Sequence, residues 1–320
     1  AQPKAVWYQP DGSVAIEPGA LGDGDCLVEA QFSGISRGTE RLVLSGQIPA
    51  SEVERMRCPH QEGAFGAPVK YGYCMVARCL EGPEALQGQD CFVLHPHQTV
   101  MRVDQAALNP LPDGLPAKRA CLTANMETAL NIIWDSGVSA GDRVAIIGGG
   151  VLGLLVMSLA APMPGTDVTL VDLNPQRADL AALFGANFSL PAEASGGQDV
   201  VIHTSGAPAG LETALSLAGS QARVVEASWY GDKQVPVSLG AAFHSQRLQI
   251  VGSQVGSIPP DRAPRWTYRR RMAKAMELLL DERFDSLITG NLLFDAAAEG
   301  LPGHLTGDPD GLMTVIDYGR

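Results

Sequence analysis

The sequence lacks the features that would assign it at once to several classes of protein. Its six cysteines are scattered and form no C-x-x-C pair, which indicates neither a structural zinc lobe nor a disulfide framework. No apolar run reaches the roughly 20 residues of a membrane-spanning helix. A net charge of −12 argues against nucleic acid or an anionic membrane as a partner. No secretory signal is visible at the start, so reduced thiols in a cytoplasmic protein are expected.

The order of predicted elements divides the chain into two kinds of structure. Residues 1–126 contain short strands punctuated by glycine and proline, which is typical of an irregular β-rich unit. From Asp142 onward strands and helices alternate, which predicts an α/β architecture with a doubly wound parallel sheet across residues 127–257. The last stretch, residues 258–320, is too short for a domain of its own and is expected to complete the β-rich unit.

The glycine-rich stretch GGGVLG carries the most specific signal in the chain. Gly148, Gly150 and Gly153 satisfy the G-x-G-x-x-G pattern between a predicted strand and a predicted helix. The next strand ends in Asp172, 24 residues after Gly148. Gly148 permits a tight turn, Gly150 lets a pyrophosphate approach the backbone, and Gly153 lets the helix pack closely on the sheet. The pattern therefore predicts a Rossmann fold that binds a dinucleotide.

The residue at position 172 distinguishes between the two nicotinamide dinucleotides. A carboxylate accepts hydrogen bonds from both ribose hydroxyls of NAD. In NADP it would face the negatively charged 2′-phosphate, and such a contact between like charges costs several kcal/mol. Arg177 could soften that clash, so NAD is favoured and NADP stays the second choice. Further cofactor contacts are expected where the parallel strands end, because ligands bind at that edge. These candidates are Val151, Leu152, Leu173, Thr204, Ser205, Ser228, Ser253 and Gln254.

The full order of elements resembles the medium-chain dehydrogenase/reductase superfamily along the whole chain. The anchors are SGISRGTE, KYGYCMVARCLEG, GQDCFVLHPHQ, the helix start METAL (126–130), GGGVLG followed by VDLN, and GSQVG. Within the superfamily the chain is similar to zinc-type alcohol or threonine dehydrogenases and to bacteriochlorophyllide-type alcohol dehydrogenases. The resemblance implies a GroES-like β-rich domain and contact of Thr128 with the nicotinamide. It also implies a homodimer paired through RLQIVGSQV at the edge of the nucleotide-binding sheet.

The residues that hold catalytic zinc in that superfamily are missing from the matching positions. Ser36 stands where a cysteine is expected, Tyr73 where a histidine is expected, and Ala124 where a second cysteine is expected. None of the three supplies a thiolate, an imidazole or a carboxylate, which are the ligands that zinc takes. No zinc is therefore expected. The alternative is a site rebuilt from Cys58, His60 and Cys74.

Without a metal, hydride transfer still needs hydrogen-bond donors aimed at the substrate oxygen, and often a proton source. The resemblance places Ser36 and Thr39 in the loop that faces the nicotinamide, with Thr39 matching a proton-relay hydroxyl. It places Tyr73 at the position of a metal ligand and His97 at the end of a strand that lines the substrate pocket. These four are the candidate catalytic residues. Purely structural roles stay open as alternatives. Ser36 and Thr39 would cap a turn, Tyr73 would be a half-buried core residue, and His97 with His95 would shape a bend.

Charged residues raise two further expectations. The segment RAPRWTYRRRMAKA (262–275) contains six basic residues and no acid. It reads either as the solvated start of a helix or as a site for a carboxylate or phosphate on an anionic substrate. Glu127 is expected to be solvated at the surface, with an ion pair to Arg37 or orientation of the substrate as the alternatives.

Three functions stay open at this point. The leading one is an NAD(H)-dependent, zinc-independent oxidoreductase that acts on a carbonyl or alcohol of a small to medium organic molecule. The second is reduction of an activated C=C bond, as in zinc-free quinone and enoyl reductases. Asp172 counts against it, because those relatives mostly take NADPH. The third is a non-catalytic NAD-binding protein.

Overall fold

The computed structural model describes residues 2–319, which form two compact units. Unit 1 contains residues 2–124 and 272–319, and unit 2 contains residues 125–271. The functional domain boundaries predicted from the sequence, after residues 126 and 257, stay a prediction. No helix among the described residues has both the length and the apolar composition needed to span a membrane.

The N-terminal part of unit 1 is built mainly from short strands. In the first half of the longest strand, from Cys26 to Ala30, alternate residues are buried, as the two-residue period of a strand requires. The strands are β1 (Lys4–Tyr8), β2 (Val14–Pro18), β3 (Cys26–Gly34), β4 (Glu62–Gly63), β5 (Val69–Lys70), β6 (Met75–Glu81), β7 (Asp90–Val93), β8 (Val100–Val103) and β9 (Asn109–Pro110). Two helices belong to this part, α1 (Arg37–Leu44) and α2 (Ala117–Ala120).

Unit 2 alternates strands with helices. Its elements are α3 (Thr123–Ser136), which begins just before the unit, β10 (Arg143–Ile147), α4 (Val151–Ala160), β11 (Asp167–Val171), α5 (Arg177–Leu183), β12 (Asn187–Ser189), β13 (Gln198–His203), α6 (Pro208–Leu217), β14 (Ala218–Glu226), β15 (Gln249–Gly252) and α7 (Tyr268–Leu278), which runs into unit 1. The sheet order is β12-β11-β10-β13-β14-β15, and every pairing is parallel. Counted from β10, this is the order 3-2-1-4-5-6 of a dinucleotide-binding Rossmann sheet. The predicted doubly wound sheet is confirmed.

The C-terminal residues return to unit 1. They form β16 (Ile288–Leu293), α8 (Ala297–Thr306) and β17 (Met313–Asp317), and β17 pairs with β3. Unit 1 thus has a seven-stranded sheet in the order β16-β17-β3-β6-β7-β9, with β8 on β3, and a four-stranded sheet in the order β2-β1-β5-β4. Apolar side chains from both sheets and from α8 share one buried core.

Candidate active site

The glycine-rich turn between β10 and α4 has the geometry that a dinucleotide needs. Gly148 has a φ of +108°, and a methyl group there would lie 2.8 Å from the backbone nitrogen of Ser205. A methyl group at Gly153 would lie 1.8 Å from the carbonyl oxygen of Gly148. Only glycine therefore fits these two positions, because the turn needs a left-handed residue and the helix packs directly on it.

Gly150 differs from its two neighbours in the motif, because space lies open beside it. It has ordinary extended dihedral angles, and a methyl group there would meet no described atom within 4 Å. It is followed directly by Val151 and Leu152, the half-buried first residues of α4, whose N-terminal end favours an anion. A pyrophosphate fits this turn, since backbone amides and free space meet there.

Asp172 lies against the glycine-rich turn, as its predicted role requires. One carboxylate oxygen accepts a 2.5 Å hydrogen bond from the Gly149 amide, and the other accepts one of 2.8 Å from Asn174. Arg177 is buried on the same side, since a methyl group at Gly149 would lie 3.0 Å from its Cγ. The next residue, Leu173, is 83% exposed, so its side chain is accessible beside the Asp172 carboxylate.

The remaining cofactor candidates lie at the same edge of the sheet, although at different distances from the turn. The Thr204 hydroxyl donates to the carbonyl oxygen of Gly148 at 3.1 Å, so β13 is tied to the turn. Ser205 and Ser228 follow β13 and β14 and belong to one hydrogen-bonded cluster. Ser253 and Gln254 follow β15, three strand positions from β10, which is about 14 Å at ordinary strand spacing.

The Ser253 and Gln254 side chains have local partners. The Ser253 hydroxyl donates to Asp135 on α3 at 2.6 Å, and the Gln254 carbonyl accepts from the Gly256 amide at 2.6 Å. Thr128 is half-buried on α3. The cofactor roles of these three residues stay predictions.

In unit 1, three of the four candidate catalytic residues are directly hydrogen-bonded to one another. The Tyr73 hydroxyl lies 2.5 Å from the Ser36 oxygen and 3.1 Å from the Thr39 oxygen. Burial, with a smaller contribution from Cys74, raises the pKa of Tyr73, so its phenol keeps the proton at neutral pH. We call Ser36, Thr39 and Tyr73 the hydroxyl cluster. It is a compact group of polar hydrogens held by two elements of unit 1.

The local structure around Ser36 differs from a plain loop. Helix α1 begins at Arg37, inside SGISRGTE, so Ser36 is its N-cap residue and Thr39 lies in its first turn. The alternative prediction, that the Ser36 side chain only caps the helix, is wrong. Its hydroxyl makes no capping hydrogen bond and contacts Tyr73 instead. The Ser36 amide donates to the Glu40 carboxylate at 2.6 Å, which fixes the start of the helix.

The fourth candidate, His97, lies in a buried network behind the hydroxyl cluster. Its Nε2 donates to Glu40 at 2.9 Å, and its Nδ1 accepts from Ser33 at 2.7 Å. Glu40 also accepts from the Tyr8 hydroxyl at 2.5 Å and is completely buried. Sequence reasoning missed Glu40, because no periodicity links it to His97, 57 positions away. The sequence offered one signal for a buried Glu40: it follows Thr39 directly and precedes the apolar residues of α1 that face the core.

His95 occupies a separate place beside this network. It is buried, its Nδ1 lies 2.8 Å from the carbonyl oxygen of Pro96, and its ring stacks on His60 at 4.9 Å. Burial lowers the pKa of His95 to about 3, so this imidazole is neutral in the folded chain.

The side chains of unit 1 do not fit the catalytic zinc of the resembled enzymes. Between residues 2 and 319, no three histidine, cysteine, aspartate or glutamate side chains are arranged to hold a metal. Burial raises the pKa of Cys58 to about 12 and also raises that of Cys74, so both side chains are thiols where no metal is bound. The Cys58, His60 and Cys74 alternative therefore lacks a suitable set of donors.

One expectation about a charged residue was wrong. Glu127 is not solvated: it is 5% exposed and accepts a 2.9 Å hydrogen bond from Arg271, which is 2% exposed. Arg271 also donates to Asn131 at 2.6 Å and to the carbonyl oxygen of Val255 at 2.7 Å. Arg271 is thus removed from the solvated basic segment, because a buried guanidinium needs a carboxylate and several acceptors.

Comparisons with known proteins agree with this geometry. A family model described as zinc-binding dehydrogenase matches residues 151–279. D-guloside 3-dehydrogenase of Escherichia coli K12 is 28% identical over 194 residues, covering 56% of this chain and 55% of that protein. (R,R)-butanediol dehydrogenase of Bacillus subtilis 168 is 27% identical over 213 residues, covering 62% and 57%.

The predicted resemblance to the medium-chain dehydrogenase/reductase superfamily is confirmed. Among solved structures of this fold, L-idonate 5-dehydrogenase from Escherichia coli K-12 superposes with a TM-score of 0.80 at 15% identity, covering 99% of both chains. The alignments to the two curated dehydrogenases span only a little over half of their lengths. The comparisons therefore show the fold and the resemblance to the superfamily.

Proposed function

We propose that this protein is an NAD(H)-dependent, zinc-independent oxidoreductase acting on a carbonyl or alcohol group. The observation that carries the proposal is the hydroxyl cluster. Its members Ser36 and Tyr73 stand at positions where the resemblance expects zinc ligands, yet they hydrogen-bond each other. The dehydrogenase names of the relatives support the reaction class.

The dinucleotide would be held by unit 2. Gly148, Gly150 and Gly153 would shape the turn for the pyrophosphate, and Asp172 would accept hydrogen bonds from the adenosine ribose hydroxyls; the contact between Asp172 and the Gly149 amide supports this role. A bound nicotinamide dinucleotide supplies or accepts the hydride. The Asp172 carboxylate supports NAD over NADP, because a 2′-phosphate would meet a like charge.

The hydroxyl cluster would bind the substrate oxygen. Tyr73 holds its proton at neutral pH, so its phenol can donate a hydrogen bond to an oxygen that gains negative charge. Ser36 and Thr39 lie within hydrogen-bond distance of the phenol and can relay a proton to it from water. The Glu40–His97 pair lies behind them and fixes the Ser36 backbone.

The proposal extends to partners and compartment. β15 is the last strand of its sheet, and Ile250 on it is 37% exposed, which supports pairing with a second copy of the chain. Replacement of Ile250 by lysine should convert a dimer into a monomer, as measured by light scattering. All six cysteines are buried and none of them forms a disulfide bond, which supports a reducing, cytoplasmic location.

Two measurements test the function. The first is metal content of protein expressed with added zinc and purified without chelator, where well under 0.1 zinc per chain is expected. One zinc per chain would overturn zinc independence. The second is turnover with NADH or NADPH across aldehydes, saturated ketones and enones. Ketone reduction supports the proposal, enone reduction alone would replace it with C=C reduction, and tight NADH binding without any turnover would replace it with a non-catalytic role.

A further inference from the structure

A fully buried histidine lies at the end of β13, outside the residues discussed so far. His203 has no exposed surface, and its Nδ1 donates to the Glu226 carboxylate at 2.8 Å. Its Nε2 accepts from the Ser205 hydroxyl at 2.6 Å. A histidine removed from water needs partners on both nitrogens, and here both are satisfied by neighbouring parts of unit 2.

Glu226, at the end of β14, is hydrogen-bonded to the residues that follow that strand. It accepts from the Ser228 amide at 2.8 Å and from the Tyr230 hydroxyl at 3.0 Å, in addition to His203. Burial alone would raise the pKa of Glu226, but the hydrogen bonds from His203 and Ser228 outweigh it and lower the pKa. The carboxylate is therefore ionised and holds three donors at once.

The two segments are also bonded to each other. The Gly206 amide donates to the Ser228 hydroxyl at 3.0 Å, which joins the two segments. Within the segment after β13, the Ala207 amide donates to the Ser205 hydroxyl at 3.3 Å. The Ser205 backbone lies against Gly148 of the dinucleotide turn. One His203–Glu226 pair thus fixes the segments that follow both β13 and β14.

The sheet order assigns these segments to one half of the cofactor. Asp172 follows β11, on one side of β10, and is the expected partner of the adenosine ribose. β13 and β14 lie on the other side of β10. A dinucleotide whose pyrophosphate sits at Gly150 therefore extends its nicotinamide half over Ser205 and Ser228.

The same atoms follow the order of a Ser-His-Glu triad, but their surroundings do not suit a nucleophile. A methyl group at Gly210 would lie 2.3 Å from the Ser205 hydroxyl oxygen and 2.4 Å from His203 Nε2, so the first turn of α6 covers this hydrogen bond. The nearby Gly206 and Ala207 amides are already used. No pair of free donors is left beside the hydroxyl for an oxyanion.

We propose that His203 and Glu226 are positioning residues that set the affinity for the nicotinamide half of the dinucleotide. This inference rests on the proposed function, because it requires that unit 2 binds NAD(H). Neither residue touches the cofactor. They hold Ser205, Ser228 and the adjoining amides in one arrangement, and displacement of a binding group by about 1 Å is enough to lose much of its contribution.

The test compares NADH with ADP, which carries the adenosine half and both phosphates but no nicotinamide. His203→Leu keeps the volume but loses both hydrogen bonds, so the Kd for NADH should rise about ten-fold or more while that for ADP changes less than two-fold. His203→Asn keeps a donor facing Glu226 and should restore most of the NADH affinity. His244→Leu, at an exposed histidine of the same unit, is the matched control and should change neither.

Each other outcome overturns the inference in a recognisable way. Equal weakening of NADH and ADP in both His203 variants would mean a general structural role, and unchanged binding of both would mean no role. If His203→Leu does not fold, Glu226→Gln decides by the same NADH-to-ADP ratio. If the wild-type chain binds neither probe, the cofactor site itself is wrong and the proposed function fails with it.

Discussion

The two units build their candidate sites from different materials. In unit 2 the dinucleotide turn is made of backbone, with Gly148 and Gly153 providing shape through the absence of side chains. In unit 1 the hydroxyl cluster and the Glu40–His97 pair are made of side-chain contacts between distant parts of the chain. The backbone site of unit 2 should be damaged by substitutions that add atoms to a glycine. The side-chain site of unit 1 should be damaged by substitutions that remove a hydrogen-bonding group.

The largest effect is expected from added methyl groups in unit 2. Gly153→Ala forces a contact with the Gly148 carbonyl and should cost about 2 kcal/mol or more in the free energy of unfolding, with loss of NADH binding. Gly150→Ala meets no described atom and should leave stability within about 0.5 kcal/mol. Its Kd for NADH should still rise at least about ten-fold, because the methyl group occupies the space left for the pyrophosphate.

Urea unfolding and NADH titration measure both quantities. Gly303→Ala, a methyl group added to α8 where none of the described atoms is near, is the control for glycine replacement itself. Wild-type NADH affinity in Gly150→Ala would show that the pyrophosphate does not approach this residue. Wild-type stability in Gly153→Ala would show that the helix does not pack on the turn as described.

In unit 1 the largest loss should follow removal of a single hydroxyl. Tyr73→Phe keeps the ring but removes the donor, so kcat should fall about 100-fold, the scale seen when one oxyanion donor is removed. NADH affinity should stay the same, since Tyr73 is not part of unit 2. Tyr71→Phe is the matched control: its hydroxyl only reaches the Met56 carbonyl at 3.5 Å, and kcat should change little. Equal effects in the two variants would remove Tyr73 from the chemistry.

The same contrast explains what could be predicted from the sequence. The Rossmann sheet and the glycine turn were predictable, because GGGVLG states a local backbone geometry within six residues and Asp172 follows at a typical spacing. Glu40, His203 and Glu226 were not, because their partners are set by strand pairing and helix packing. Glu127 was misjudged for the same reason: its partner Arg271 is 144 positions away and looked like part of a solvated cluster.

Removal of the buried carboxylate in unit 1 tests how far side chains hold that site together. Glu40→Ala leaves the Ser36 amide, Tyr8 and His97 without their acceptor, which should lower the free energy of unfolding by about 3 kcal/mol or more. Glu40→Gln keeps one acceptor oxygen and should cost less than half of that. Glu277→Ala, at an exposed ion pair of the same unit, should change stability by less than about 0.5 kcal/mol. Equal stability of the Glu40 and Glu277 variants would contradict the network.

Acid should weaken unit 1 through His95. Its pKa is about 3 in the folded chain and near 6.5 in an unfolded one, so the unfolded chain alone binds a proton between those values. The contribution of His95 to the free energy of unfolding is thus fully present above about pH 6.5, and the free energy of unfolding falls by up to about 1.4 kcal/mol per pH unit below that value. Urea unfolding of wild type and His95→Asn at pH 7.5, 6 and 5 measures the difference. Parallel pH profiles for the two proteins would show that His95 is not buried in its neutral form.

The smallest effect is expected at the basic segment, RAPRWTYRRRMAKA, because the charges of its exposed side chains are screened by salt. Arg270 stacks on Trp266 at 4.0 Å and stays at the surface, unlike Arg271. If it attracts an anionic substrate, Arg270→Glu should raise KM about three- to ten-fold at low salt and far less near 0.5 M salt, because salt screens exposed charges. A neutral substrate should be unaffected. Arg55→Glu makes the same change in net charge on unit 1 and separates local attraction from overall repulsion. An unchanged or salt-independent KM would leave the segment as a solvated helix start, with the cation–aromatic contact as its only role.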